Sequence, residues 1–172
     1  MSEFKEIAAE ERKAKYAEAA ELCRGSFVKE KVAAAREMFI ALGDHRDSAN
    51  WSECSLRRWL NKDFMEKCFT LPERMDILLT PVRNDTEERW RVENGPNTRD
   101  KAFVFNWPEL EGYFPTKEGR ACGQWYWLRG FGWSMLSPMA IYTDGTLYEY
   151  GVNKNSEEVG VRPAMWVRKK IL

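Results

Sequence analysis

The chain has 172 residues, 44% of them hydrophobic, which suits one globular domain with a real core and not a disordered chain. Its 27 basic and 27 acidic residues give a formal net charge of zero, so a general role in binding nucleic acid or an anionic membrane has no global electrostatic support. No apolar run approaches the roughly 20 residues of a membrane span, and no signal-peptide core follows the acidic start. We therefore expect a cytoplasmic protein, with a surface or secreted location left open if a leader is missing.

The first 50 residues predict a helical hairpin. Residues 3–24 are rich in Ala, Glu and Lys, which favour helix, and residues 27–42 repeat apolar side chains at helical spacing. Gly25 and Gly43 are the expected stops of the two helices. The apolar stripe of the second helix consists of Val28, Val32, Ala35, Met38, Phe39 and Leu42.

The hairpin also resembles a short tetratricopeptide-like repeat of bacterial proteins. The resemblance is carried by residues 16–22 and by the string Met-Phe-Ile-Ala-Leu-Gly-Asp-His-Arg-Asp-Ser-Ala at residues 38–49. Only one copy is present, and stacked repeats need about three units to bury a continuous core. We therefore expect residues 1–50 to pack on the rest of the domain or on another chain.

The next part of the chain, residues 51–83, predicts two more helices. Residues 51–61 form a third helix that ends near Asn61. Thr70 and Glu73 make a capping box with Pro72 in the first turn, which opens a short helix that includes residues 75–79.

The second half of the chain predicts loops and strands. Residues 84–100 predict a long loop with a short internal strand at residues 90–92. A compact apolar strand is predicted at residues 102–107, and a helical turn at residues 108–113. The Thr-Asp-Gly-Thr sequence at residues 143–146 predicts a hairpin between residues 139–142 and 147–150. Helices that precede strands along the chain indicate the α+β class.

Residues 51–168 resemble an uncharacterised bacterial domain family with the motifs W-x-x-S-x-L-R-x-W-L-N, W-W-L-R-S and G-V-R-P-A-L-W. The matching elements stand here at residues 51–61, 73–77, 100–103, 125–129 and 160–166. The resemblance implies a C-type-lectin-like module over residues 51–172, related to sulfatase-modifying factors. It also implies a link to variable proteins of diversity-generating retroelements, in which the stretch between the last two motifs is diversified to change ligand choice.

The resemblance has one structural consequence at the C-terminus. A lectin-like fold pairs its first strand with its last, and no strand is predicted ahead of Trp51. Residues 161–167 would then lack their usual neighbour. Either the N-terminal helices cover this strand edge or another copy of the chain does, which leaves a homo-oligomer open.

The candidate binding residues lie between the last two motifs. There Trp and Tyr stand among Gly, Ser, Asp and Thr, as they do in antibody paratopes, where aromatic rings give contact area at low entropy cost. In an alternating strand, Tyr148 and Tyr150 share one face; the alternative is that both are core. Trp127 and Trp166, in the motifs themselves, are expected to be buried in neighbouring strands. The candidate ligand-binding set is Trp133, Tyr142, Tyr148, Glu149, Tyr150 and Asn153.

Reactive residues are sparse. His45 is the only histidine and has no obvious nucleophile near it in sequence, so Ser-His-Asp and Cys-His chemistry is not expected. The sequence lacks clustered Cys and His for zinc and the lectin triplets for calcium. We predict no catalytic residue, no metal and no cofactor. All four thiols are expected to be free: Cys23, Cys54, Cys68 and Cys122.

These patterns favour a non-catalytic recognition protein that displays residues 131–157 to a protein or glycan ligand. Two alternatives stay open. One is a structural or oligomerisation module without a small ligand, and the other is an enzyme of unknown reaction.

Overall fold

The computed structural model describes residues 50–84, 92–154, 156 and 158–168. The predicted helical hairpin with its tetratricopeptide-like repeat, His45 and Cys23 lie outside these residues, as does most of the predicted strand at residues 90–92. No helix in the described part has both the length and the apolar character needed to cross a bilayer.

The first helical run is longer than the sequence predicts. It consists of α1 (Ser55–Trp59), a π-helical turn (Leu60–Phe64) and α2 (Met65–Cys68). The predicted end near Asn61 is wrong because the Asn61 side chain does not stop the helix. It accepts the Lys101 N–H at 2.8 Å and donates to the Ala102 carbonyl at 2.8 Å, so it ties the middle of the run to a distant segment.

The capping box of the next helix is confirmed. α3 (Leu71–Asp76) starts after Thr70, whose backbone N–H donates to the Glu73 carboxylate at 2.8 Å. The helix ends at Asp76, so the predicted helical state of residues 77–79 is wrong. Ile77 takes an extended conformation, pairs with Val167 and is buried.

Two small antiparallel sheets follow. β1 (Thr80–Val82) pairs with β2 (Thr98–Asp100). The second sheet has the order β3-β4-β5, from Tyr126–Phe131, Pro138–Ile141 and Leu147–Tyr148. Along the chain, two short helices come between β2 and β3. α4 (Trp107–Tyr113) confirms the predicted helical turn, and α5 (Lys117–Arg120) follows it. The predicted strand at residues 102–107 is reduced to a single bridge at Phe103, and α4 already begins at its last residue.

The predicted hairpin is confirmed between β4 and β5, where Ala140 pairs with Tyr148. Its turn is closed by the Tyr142 N–H, which donates to the Thr146 carbonyl at 2.8 Å. The Thr146 N–H and hydroxyl donate to the Asp144 carboxylate and thereby lower the pKa of Asp144.

Replacing Gly145 with alanine is expected to destabilise the protein by about 1–3 kcal/mol. Gly145 has a φ of +85°, which L side chains rarely adopt, and an added Cβ would lie 1.9 Å from the Lys117 carbonyl oxygen. Chemical denaturation measures the effect. Gly112 is the control because a Cβ there would have no atom within 4 Å, so a Gly145→Ala loss no larger than that of Gly112→Ala would contradict the prediction.

The C-terminal segment, residues 160–167, pairs with three separate parts of the fold through single β-bridges. Tyr126 pairs with Gly160 in parallel, Phe103 with Ala164 and Ile77 with Val167 in antiparallel orientation. The tracts 125–129 and 160–166 are therefore neighbours, as predicted. Residues 161–167 were expected to lack their usual neighbouring strand, and in the structure Phe103 and Ile77 pair with this segment through single bridges.

The core has two parts, with β3 between them. Successive side chains of a strand point to opposite faces. Trp127 belongs to the larger apolar cluster, which contains the helical run, while Tyr126 and Leu128 belong to a smaller cluster with Leu110 and Ile141. All six residues of β3 are buried. The fold is thus mixed α and β with small antiparallel sheets, in agreement with the predicted α+β class at that level.

Candidate functional site

Four large apolar side chains are exposed at one end of the β3-β4-β5 sheet. We call them the loop surface: Trp133, Met135, Leu136 and Tyr150. Trp133 is 65% exposed, Met135 and Leu136 are each 61% exposed, and Tyr150 is 51% exposed. Three of them lie on residues 132–137, the loop that joins β3 to β4.

Backbone hydrogen bonds hold both ends of the loop. The Gly132 N–H donates to the Ser137 carbonyl at 2.8 Å, and the Ser137 N–H donates to the Ser134 carbonyl at 3.0 Å. The Trp133 N–H donates to the Tyr150 carbonyl at 3.2 Å, which brings Tyr150 to the loop. A side chain at Gly132 would prevent this approach, because its Cβ would lie 2.2 Å from the Tyr150 carbonyl oxygen.

A cluster of aromatic rings supports Tyr150. The ring centroids of Trp125 and Tyr142 are 4.1 Å apart, those of Tyr142 and Tyr148 are 5.2 Å apart, and those of Tyr148 and Tyr150 are 6.2 Å apart. Trp125, Tyr142 and Tyr148 are half-buried. The rings thus form a continuous path from the half-buried Trp125 to the exposed Tyr150.

The predicted binding residues fall into two groups. Trp133, Tyr150 and Asn153 are exposed, whereas Tyr142, Tyr148 and Glu149 are half-buried. The structure therefore divides the predicted set by exposure and does not place all six side chains at the surface.

Asn153 lies close to the loop surface, because the N–H groups of its two neighbours donate to this end of the sheet. Val152 donates to the Pro138 carbonyl at 2.9 Å and Lys154 to the Leu136 carbonyl at 3.0 Å. The backbone of Glu149 also lies beside the loop, because its carbonyl oxygen is 2.7 Å from the position that a Cβ would take at Gly132.

Met135 and Leu136 were not among the binding residues predicted from the sequence. The signal that could have indicated them is their setting, because small residues surround them at Gly132, Ser134 and Ser137 and leave little apolar bulk to cover them. The loop surface therefore presents the thioether of Met135 and the isobutyl group of Leu136 beside the indole of Trp133 and the phenol of Tyr150.

Trp166 is not buried, contrary to expectation. It is 44% exposed and lies 5.6 Å from Tyr113, measured between ring centroids. Both rings line an apolar groove of about 260 Å³, whose walls are Phe103, Phe105, Tyr113, Phe114, Ala164, Met165 and Trp166. The groove is formed by residues 103–114 and 164–166, which are at least 50 residues apart in sequence, so no local pattern predicts it.

Charged groups beside β3 hold the sheet and not the loop surface. The Tyr126 hydroxyl donates to the Arg120 carbonyl at 2.8 Å and accepts from Arg162 at 3.0 Å. Burial raises the pKa of Tyr126, and the Arg162 guanidinium opposes that rise.

Residues 50–84, 92–154, 156 and 158–168 contain no group of three His, Cys, Asp or Glu side chains placed to hold a metal ion. Cys54, Cys68 and Cys122 form no disulfide bond, as predicted for these three of the four cysteines.

Comparison with known proteins gives a family but no characterised relative. No curated protein and no solved structure matches the chain significantly. One family model, described as a domain of unknown function (DUF6273), matches residues 29–169. The match begins inside the second predicted helix and includes every described residue from 50 to 168. It agrees with the predicted resemblance to an uncharacterised domain family, and the chain belongs to the DUF6273 family.

Proposed function

We propose that this protein is a non-catalytic recognition module whose loop surface binds a protein partner. The proposal rests on the abrupt change in side-chain exposure between β3 and the loop that follows it. All of β3 is buried, and the loop that directly follows it exposes Trp133, Met135 and Leu136. Contiguous exposed apolar side chains commonly mark an interaction site.

The hydrogen bonds of the loop favour binding because the loop backbone needs little further ordering when a partner binds. Backbone hydrogen bonds fix the loop at Gly132 and Ser137, and another joins Trp133 to Tyr150. Binding then has to order the exposed side chains, at about 0.5–1.5 kcal/mol for each one immobilised. The further cost of ordering the loop backbone is reduced, because hydrogen bonds already hold that backbone.

The composition of the loop surface favours a protein over a glycan. Trp, Tyr and Met are enriched at protein–protein interfaces, and Trp and Tyr are enriched among the residues that dominate binding energy. Met135 and Leu136 present aliphatic and thioether groups, which offer a sugar hydroxyl no strong hydrogen-bond partner. We therefore propose a protein ligand, and binding of a glycan at the loop surface would contradict this proposal.

The lectin-like relationship and diversification by a retroelement belong to the same proposal. They are supported by position, since the loop surface and Asn153 lie between the tracts at 125–129 and 160–166, where the resemblance places the variable stretch. A near-identical repeat of the coding region for residues 125–166, with a reverse transcriptase gene nearby, would support diversification.

Replacing Trp133 with alanine is expected to weaken partner binding at least about tenfold, or about 1.4 kcal/mol, with an unchanged thermal midpoint. The partner is first captured from an extract of the source organism, then purified, and its dissociation constant is measured against each variant. Leu136→Ala and Leu79→Ala form a matched pair, because both leucines are exposed, at 61% and 53%. Only Leu136→Ala should weaken binding.

Two results would overturn the proposal. One is equal affinity of the purified partner for the wild type and for Trp133→Ala. The other is Trp133-dependent binding on a glycan array by a protein that captures no protein partner.

A further inference from the structure

The apolar groove at the end of α4 has the composition of a pocket for a small ligand. Its volume of about 260 Å³ exceeds the roughly 150 Å³ of an engineered apolar cavity that holds benzene, so one aromatic ring with a short side chain fits. Phe103 is 4% exposed and forms the floor, while Tyr113 and Trp166, at 55% and 44% exposure, form the rim. Ligand pockets are lined mainly by apolar and aromatic side chains, with a few polar groups that fix the orientation of the ligand.

The walls of the groove are aromatic rings that meet at steep angles. The ring of Phe105 stands at 90° to that of Phe103 and at 71° to that of Phe114. The rings of Tyr113 and Trp166 meet at 64°. Aromatic pairs prefer offset-stacked or edge-to-face contacts, and these walls offer both to a flat ligand. An aromatic ring is therefore the apolar body that the groove suits best.

A guanidinium group lies next to the groove. Arg162 stands two residues before Ala164, a groove residue, and its Cζ atom lies 4.8 Å from the centroid of the Phe114 ring. Its Nη1 donates to the Arg120 carbonyl at 2.9 Å and to the Tyr126 hydroxyl at 3.0 Å. No hydrogen bond to a described residue uses Nε or Nη2. These two atoms form one edge of the planar group, which can bind a carboxylate with two parallel hydrogen bonds.

The charge around Phe114 is positive. Nη1 of Arg120 donates to the Phe114 carbonyl at 2.8 Å, and Arg120 is only 7% exposed. Neither Arg120 nor Arg162 forms an ion pair with any residue that the structure describes. Because a cation removed from water without an acidic partner is costly, an anion at the free edge of Arg162 would reduce that cost. The same charge disfavours a cationic ligand, which aromatic pockets otherwise suit.

We infer that the groove binds a small aromatic carboxylic acid. The ring of the ligand lies between the aromatic walls, and its carboxylate accepts hydrogen bonds from Nε and Nη2 of Arg162. The inference goes beyond the proposed function, because the groove shares no residue with the loop surface. The two sites can therefore be tested independently.

Fluorine NMR with three matched probes tests the inference on the full chain. The probes are para-fluorohydrocinnamate, its neutral primary amide and the cationic primary amine of the same chain length. Broadening of the fluorine signal on titration gives the dissociation constant of each probe. The acid should bind with a dissociation constant of about 1 mM or below, and at least about tenfold more tightly than the amide. The amine should bind most weakly.

Three variants separate the parts of the site. Trp166→Ala removes one side of the rim and should weaken binding of the acid and the amide at least about fivefold, whereas Trp133→Ala on the loop surface should change neither. Arg162→Gln should lower the affinity for the acid to that for the amide. The affinity for the amide should stay the same and thereby show that the groove is intact. If Arg162→Gln binds neither probe, the groove is lost in that variant, and the wild-type preference for the acid together with Trp166→Ala decides.

The inference is wrong if the wild type does not bind the acid at about 10 mM, or if it binds the acid and the amide equally. It is also wrong if Trp166→Ala leaves the affinity for the acid unchanged, or if Arg162→Gln keeps the preference for the acid. Tightest binding of the amine would assign the groove to a cationic ligand instead. None of these results bears on the loop surface, so a failure here is distinct from a failure of the proposed function.

Discussion

Replacing Arg129 with methionine is expected to lower the free energy of unfolding by about 3–5 kcal/mol. Arg129 is 1% exposed, and its guanidinium joins four segments. It forms an ion pair with Glu109, donates to the Val104 carbonyl at 2.6 Å and the Asn84 side chain at 3.0 Å, and also contacts the Arg83 carbonyl. Methionine keeps much of the packing but leaves these acceptors without a donor.

Arg99→Met is the control for this prediction. Arg99 also lies on a strand, but it is exposed, so its replacement should change the free energy by no more than about 0.5 kcal/mol. Urea unfolding of both variants gives the comparison. If Arg129→Met lost no more stability than Arg99→Met, the four contacts would not hold β3 in place.

Replacing Trp127 with alanine is expected to cost about 3–5 kcal/mol of stability. Its side chain is fully buried in the larger core cluster, and its backbone N–H donates to the Gly160 carbonyl at 3.1 Å. The substitution therefore leaves a cavity beside the bridge that joins β3 to the C-terminal segment.

Trp133→Ala provides the matched control, because the same atoms are removed from a tryptophan that is 65% exposed. Its thermal midpoint should stay near that of the wild type, while that of Trp127→Ala should fall by several degrees. Equal midpoints for Trp127→Ala and the wild type would show that β3 is not the buried frame of the sheet.

Features with a local physical cause could be predicted from the sequence. The Asp-Gly pair at residues 144–145 determines a turn because glycine accepts a positive φ there, and Thr70 and Glu73 cap a helix within four residues. Both are confirmed. The division into buried β3 and an exposed following loop could also be predicted, because Gly132, Ser134 and Ser137 disfavour a continued strand.

Features that depend on distant partners could not be predicted. Asn61 was expected near the end of a helix, yet contacts with Lys101 and Ala102 hold it in the middle of the helical run. Trp166 was expected in the core because tryptophan favours burial. Its exposure depends on how the C-terminal segment pairs with residues 77 and 103, and no local pattern contains that information.

The proposal that the loop surface is the binding site can be tested by the oxidation rate of Met135 in the complex. With the purified partner at saturation, Met135, which is 61% exposed, should become protected at least about fivefold relative to the free protein. The oxidation rate of Met75, which is 69% exposed and lies in α3, should stay the same. If Met135 reacts at its free rate in the saturated complex, the partner binds elsewhere and the claim is wrong.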